Sequence, residues 1–130
     1  MPAFDKCHRE IVRALIAAGW NIVTEQVYLD DFHPSYIDLQ IEMNGEYRYI
    51  EIKCFPGNSV TQELYVAFGQ IILYQALLLR TNNPIPLYMA MPHELYDQIF
   101  SFTEQYAIDH YDIKIVLIDR QMERIVRWIE

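Results

Sequence analysis

With 130 residues the chain is of a size to build one core, and it is read as a single domain over residues 1–130. A net charge of −8 argues against broad nucleic-acid affinity, because counterion release from phosphates needs Lys and Arg. The two cysteines are too few for a disulfide framework and lack metal-ligand spacing, so Cys7 and Cys54 are expected to be small buried hydrophobes.

In chain order, Asp5 to Ala18 reads as an amphipathic helix with Ile11, Val12, Leu15 and Ile16 inward and Gly19 as its stop. Lys6, Arg9 and Arg13 recur on one face of it, a spacing that fits a solvated stripe or a phosphate contact. A strand follows near Asn21 to Leu29. Two more run from about Tyr36 to Met43 and from Glu46 to Phe55, with Pro56-Gly57 as a loop signal. Thr61 can cap the next helix, whose apolar residues from Leu64 through Leu79 cover most of its circumference and predict heavy burial. That stretch is about 16 residues long and is interrupted by Gln70 and Gln75, so it reads as a buried helix with no membrane span. Pro86 to Met91 is a strand buried on both faces, Pro92 opens a helix over about His93 to Ile108, and strands follow at Ile113 to Ile118 and Ile125 to Ile129. The order implies an α/β sandwich: an antiparallel meander, then a helical crossover into a mixed central β-sheet with helices on its faces. The N-terminus lacks a charged start followed by an apolar run, which predicts a cytoplasmic location. Ten tyrosines and 52% hydrophobic residues exceed what one small core hides, which predicts a homodimer or a partner subunit.

The most informative segment is the turn Asn44-Gly45 between alternating strands, the strongest short-range hairpin signal. If Met43 pairs with Glu46, Asp38 pairs with Glu51, and Lys53 stands on the same face opposite Tyr36. That face also holds Tyr36, Tyr47 and Tyr49, while Ile37, Leu39, Ile41, Ile50 and Ile52 point to the core. Two carboxylates in directly opposed positions repel, so the pair invites a divalent cation. The plain alternative is the solvated face of a hairpin, where such residues do no chemistry.

An acid about a dozen residues before Glu51-Ile52-Lys53 resembles the catalytic pattern of the PD-(D/E)XK nuclease fold, and Gln70 to Tyr74 resembles the Gln-hydrophobic-x-x-Tyr motif of its RecB-like branch. Over nearly the whole chain the sequence resembles the XisH family of cyanobacteria, called fdxN-element excision controlling factors. The residues that carry this include Gly19-Trp20, Tyr36-Ile37-Asp38-Leu39, Ile50-Glu51-Ile52-Lys53, Ala67-Phe68-Gly69-Gln70-Ile71-Ile72-Leu73-Tyr74, Leu87-Tyr88-Met89-Ala90 and Ile125-Val126-Arg127-Trp128-Ile129. The chain departs from the family's pattern at Cys54, where a serine follows the motif lysine, and at the acidic connection Asp30-Asp31-Phe32-His33-Pro34.

The resemblance implies a restriction-endonuclease-like three-layer sandwich and a part in DNA-element excision, beside a companion protein called XisI. It implies that Asp38, Glu51 and the carbonyl of Ile52 hold Mg²⁺ or Mn²⁺, that Lys53 orients water or stabilises phosphate charge, and that Gln70 and Tyr74 position the phosphate or the lysine. Glu63 is either a further ligand or a surface or capping residue. His8 is expected in the core, and His33, His93 and His110 have no ligand spacing. Two alternatives stand beside the nuclease: a non-catalytic subunit that uses the fold as a scaffold for a companion or a recombinase, and a structural dimer with a fortuitous acid pair.

Overall fold

The computed structural model describes residues 3–29, 36–56 and 59–130. The acidic connection at Asp30 to Pro34, with His33, and the Gly57 of the loop signal lie outside the described residues.

The elements are α1 (Ala3–Ala17), β1 (Asn21–Tyr28), β2 (Tyr36–Met43), β3 (Glu46–Ile52), α2 (Val60–Arg80), β4 (Leu87–Pro92), α3 (His93–Ile99), α4 (Phe102–His110), β5 (Lys114–Asp119) and β6 (Arg124–Ile129). All strands join one sheet in chain order, β1-β2-β3-β4-β5-β6. The β1-β2-β3 and β5-β6 pairs are antiparallel; β3-β4-β5 are parallel. This is the expected mixed sheet flanked by helices.

The parallel centre dictates burial on both sides. Every residue of β4, Leu-Tyr-Met-Ala-Met-Pro, is buried, as a continuous apolar run in a parallel strand should be. On one side α1 lays Cys7, Ile11, Ala14 and Leu15 over Leu39, Ile41, Ile50 and Ile52. On the other, α2 lays the stripe Leu64, Ala67, Ile71, Tyr74 and Leu78 over Tyr49, Leu87, Met89 and Met91, with α3 and α4 extending that layer. Truncating a fully buried residue such as Ile11 or Ile71 to alanine should cost about 2–5 kcal/mol.

Four expectations are corrected. Cys7 and Cys54 are buried as expected, but they form a disulfide that ties α1 to the chain just beyond β3; at a sequence separation of 47, no local spacing announces the bond. Helix α2 is not buried around its circumference: Tyr65, Val66, Leu73 and Leu79 are exposed, because one sheet face covers only one helical stripe. It also begins earlier than Thr61, with Ser59 at the capping position. The helix expected from His93 to Ile108 is two helices. Ser101 and Glu104 form a reciprocal capping box that starts α4 afresh after Phe100.

Candidate functional site

Asn44 and Gly45 both have positive φ, 54° and 84°, the backbone a type I′ turn demands. The turn sets Met43 opposite Glu46 and Leu39 opposite Ile50, so the next pair along the hairpin is Asp38 and Glu51. There the ladder stops. The backbone N–H of Asp38 donates to Glu51 Oε1 at 3.3 Å, and that of Ile52 donates to Asp38 Oδ2 at 2.7 Å. Carboxylates have replaced backbone carbonyls as acceptors. β3 meanwhile stays with β4, where the N–H of Lys53 donates to the carbonyl of Ala90 at 2.9 Å. The strands therefore fork, and Lys53 does not pair with Tyr36. Phe55, at φ 52°, then turns the chain away from the sheet.

The fork opens into a cavity of about 290 Å³ lined by Asp38, Glu51, Ile52, Lys53, Cys54, Phe55, Pro56, Gln62, Glu63 and Val66. Lys53 Nζ lies 3.4 Å from Glu51 Oε2 and donates to Gln70 Oε1 of α2. The polar face of the hairpin is thus neither open surface nor core alone, since α2 closes over it. The Glu51 side chain keeps only 6% of its surface exposed. Burial first, then the charge of Asp38, pushes its carboxyl up to about 7, against the opposing pull of Lys53. Two carboxylates and one ammonium leave the cluster one positive charge short when both acids are ionised.

Four of the expected residues, Asp38, Glu51, Ile52 and Lys53, line this cavity, and Gln70 reaches it through Lys53. The side chain of Ile52 is in the α1 core; only its backbone belongs to the fork. Tyr74 is on the buried stripe of α2 in the core and is not among the lining residues. Glu63 is in the lining, with one carboxylate oxygen buried, yet among the described residues no group of three or more His, Cys, Asp or Glu is placed to hold a metal ion. Two carboxylates beside open cavity space are the kind of oxygen donors that Mg²⁺ or Mn²⁺ takes, since these ions keep several waters or phosphate oxygens. Gln62, Val66 and Phe55 were not foreseen; helical spacing from Gln70 back to Val66 and Gln62 is the signal that could have found the α2 pair.

A mixed α/β sandwich with an acid pair and a lysine at the fork of a hairpin defines the class. The family model described as XisH protein matches residues 1–126, and the chain belongs to the XisH family. It is similar to the crystal structure of an XisH family protein from Nostoc punctiforme, at 27% identity and a TM-score of 0.87 over 97% of this chain and 100% of that one. It is equally similar to an fdxN element excision controlling factor protein from Anabaena variabilis, at 26% identity and a TM-score of 0.87 over 97% and 99% of the two chains. No curated protein matches the sequence.

Proposed function

We propose that this chain is a metal-dependent nuclease-fold protein of the PD-(D/E)XK kind, acting on DNA phosphodiesters in element excision or a related DNA transaction. One observation carries it: a buried Glu51 with raised proton affinity sits beside Asp38, in a cavity where Lys53 is held by Gln70. A structural hairpin face gains nothing from burying like charges together, whereas perturbed acids in a cleft mark functional sites. The excision role rests on the name of the Anabaena relative.

Asp38, Glu51 and the Ile52 carbonyl would hold Mg²⁺ or Mn²⁺, which when bound supplies a polarised phosphate oxygen and a more acidic water. Lys53 presents its ammonium to the same cavity, where it donates to phosphate oxygens. Gln70 fixes the lysine's direction, because its Oε1 accepts from Nζ and leaves the remaining protons for substrate. Tyr74 acts from the core as support for that helical turn. Glu51, poised near neutrality, holds a proton until positive charge arrives and gives it up afterwards. Residues 1–130 work as one domain, in the cytoplasm and without a membrane.

The alternative, a non-catalytic scaffold for an XisI-like companion or a recombinase, is favoured by charge. The net −8 and the acids Glu94, Asp97, Glu104, Asp109 and Asp112 offer DNA little attraction, so a companion would supply the basic surface. Plasmid nicking decides between them. The nuclease predicts nicking that requires Mn²⁺ or Mg²⁺ and is lost in Asp38→Asn and Lys53→Ala; metal binding with no nicking, with or without a companion, supports the scaffold.

A further inference from the structure

Helix α2 carries a second stripe on the side away from the sheet. Gln62, Val66, Gly69, Leu73, Ala76 and Arg80 are spaced alternately by four and three, the heptad spacing of a helix-pairing seam, and all six are exposed. Leu73 leaves 69% of its surface in water and Val66 48%. Gly69 is the odd member. Glycine weakens a helix interior, and a Cβ built there meets nothing within 4 Å, so no contact among the described residues asks for it. A neighbour outside the chain would.

We propose that this seam pairs antiparallel with the same seam of a second copy of the chain, across a two-fold axis level with Ile71. The geometry is self-complementary in size. Across such an axis Gly69 faces Leu73, Ala76 faces Val66 and Gln62 faces Arg80, so every layer sets a larger side chain against a smaller or uncharged one. A parallel, in-register pair would instead put Gly69 against Gly69 and Leu73 against Leu73, leaving a void beside a clash. The antiparallel arrangement also brings the exposed Tyr65 of one copy alongside the exposed Leu79 of the other, widening the apolar strip. Over 21 residues the helix offers about 31 Å of seam.

The pairing has a consequence at the acid pair. Gln62 and Val66 line that cavity, so the second copy's Arg80 arrives at its mouth. There it adds a guanidinium, the group best shaped for bidentate phosphate contact, to a site where Lys53 is the one cation among the described lining residues. This last step rests on the phosphodiester proposal; the pairing itself does not.

Light scattering of the full chain at micromolar concentration should report twice the chain mass. Gly69→Leu, which places leucine against Leu73, should give a monomer with an unchanged circular dichroism spectrum, since the position is open within the chain. Gly69→Leu with Leu73→Gly restores a large-small layer and should return the dimer. Gln62→Cys with Arg80→Cys should give a disulfide-linked dimer on a non-reducing gel, because residues 62 and 80 of one helix are about 27 Å apart and bond only between copies. Wild type that is monomeric, a dimer indifferent to Gly69→Leu, or a double-cysteine variant that stays at the single-chain mass would each overturn the proposal. None of these readouts uses metal or DNA, so a dimer that ignores Mn²⁺ would retain the pairing and remove only the phosphodiester proposal.

Discussion

β3 carries a charged cluster at each end, and the two are built in opposite ways. Near its start, Arg48 stacks over Trp20, Tyr88 and Trp128 at 5.0, 4.8 and 4.3 Å from the ring centroids, and its guanidinium bonds Glu46 at 2.9 Å. Its acids, Glu46 and Glu130, stay in water with 58% and 51% of their side chains exposed. The cation is enclosed and the anions are solvated, so nothing is owed to a ligand. At the other end the anions are enclosed: Glu51 is buried beside Asp38, and the cation is shared between a carboxylate and an amide. A charge cluster closed on itself holds a fold, whereas one short of positive charge and open to a cavity is equipped to receive a cation or a phosphate.

The largest effect should come from the tie that holds the open end. Closing the 47-residue separation between Cys7 and Cys54 is worth about 4 kcal/mol by loop entropy, and a double change to serine should lower the denaturation midpoint accordingly. Dependence of wild-type stability on reductant is the companion measurement. Next, Arg48→Met should cost about 2 kcal/mol, from cation–π contacts shielded by three rings. Asp38→Asn, in metal-free buffer, should be as stable as wild type or more so. The amide oxygen still accepts from Ile52 N–H while the repulsion on Glu51 is gone. Equal losses at the two ends would erase the contrast between them.

The pH dependence sharpens it further. Because the folded-state pKa of Glu51 is raised from 4.5 to about 7, the unfolded chain releases that proton first as pH rises. Stability contributed at this position is therefore complete below about pH 4.5, falls between 4.5 and about 7, and is flat above. Glu51→Gln should remove the slope, and unfolding titrations of the two proteins in metal-free buffer check it. The smallest change is at Gln70→Ala, which should cost about 1 kcal/mol for one lost hydrogen bond and leave the slope in place.

How far the sequence carried these features follows from the range of the interactions. The hairpin register was legible because Asn44-Gly45 fixes it within two residues, and it brings Asp38 and Glu51 side by side just past the last ladder pair, Leu39 with Ile50. The antiparallel meander and the helical crossover into a mixed sheet followed from element order, and in the structure each strand neighbours the next in the chain. What failed was long-range or two-sided. The Cys7–Cys54 bond joins elements on separate layers, and no local pattern links them. The burial of the polar hairpin face depends on α2 docking there, and a helix apolar on both stripes does not say which side it buries. The break at Phe100 was available in the spacing of Ser101 and Glu104, but the apolar residues running through it masked the signal. Tyr74 shows the cost of motif spacing alone: it shares a helical face with Gln70, yet that face divides between the lysine and the core.

The most direct test of the central claim, that the acid pair awaits a divalent cation, is calorimetric titration of Mn²⁺ into wild type near pH 6.5 in two buffers of different ionisation enthalpy. Binding must expel the proton held by Glu51, so the account predicts saturable heat with net proton release that vanishes by pH 9 and is absent in Asp38→Asn. Binding with no proton release at pH 6.5, or no binding at all, would contradict it.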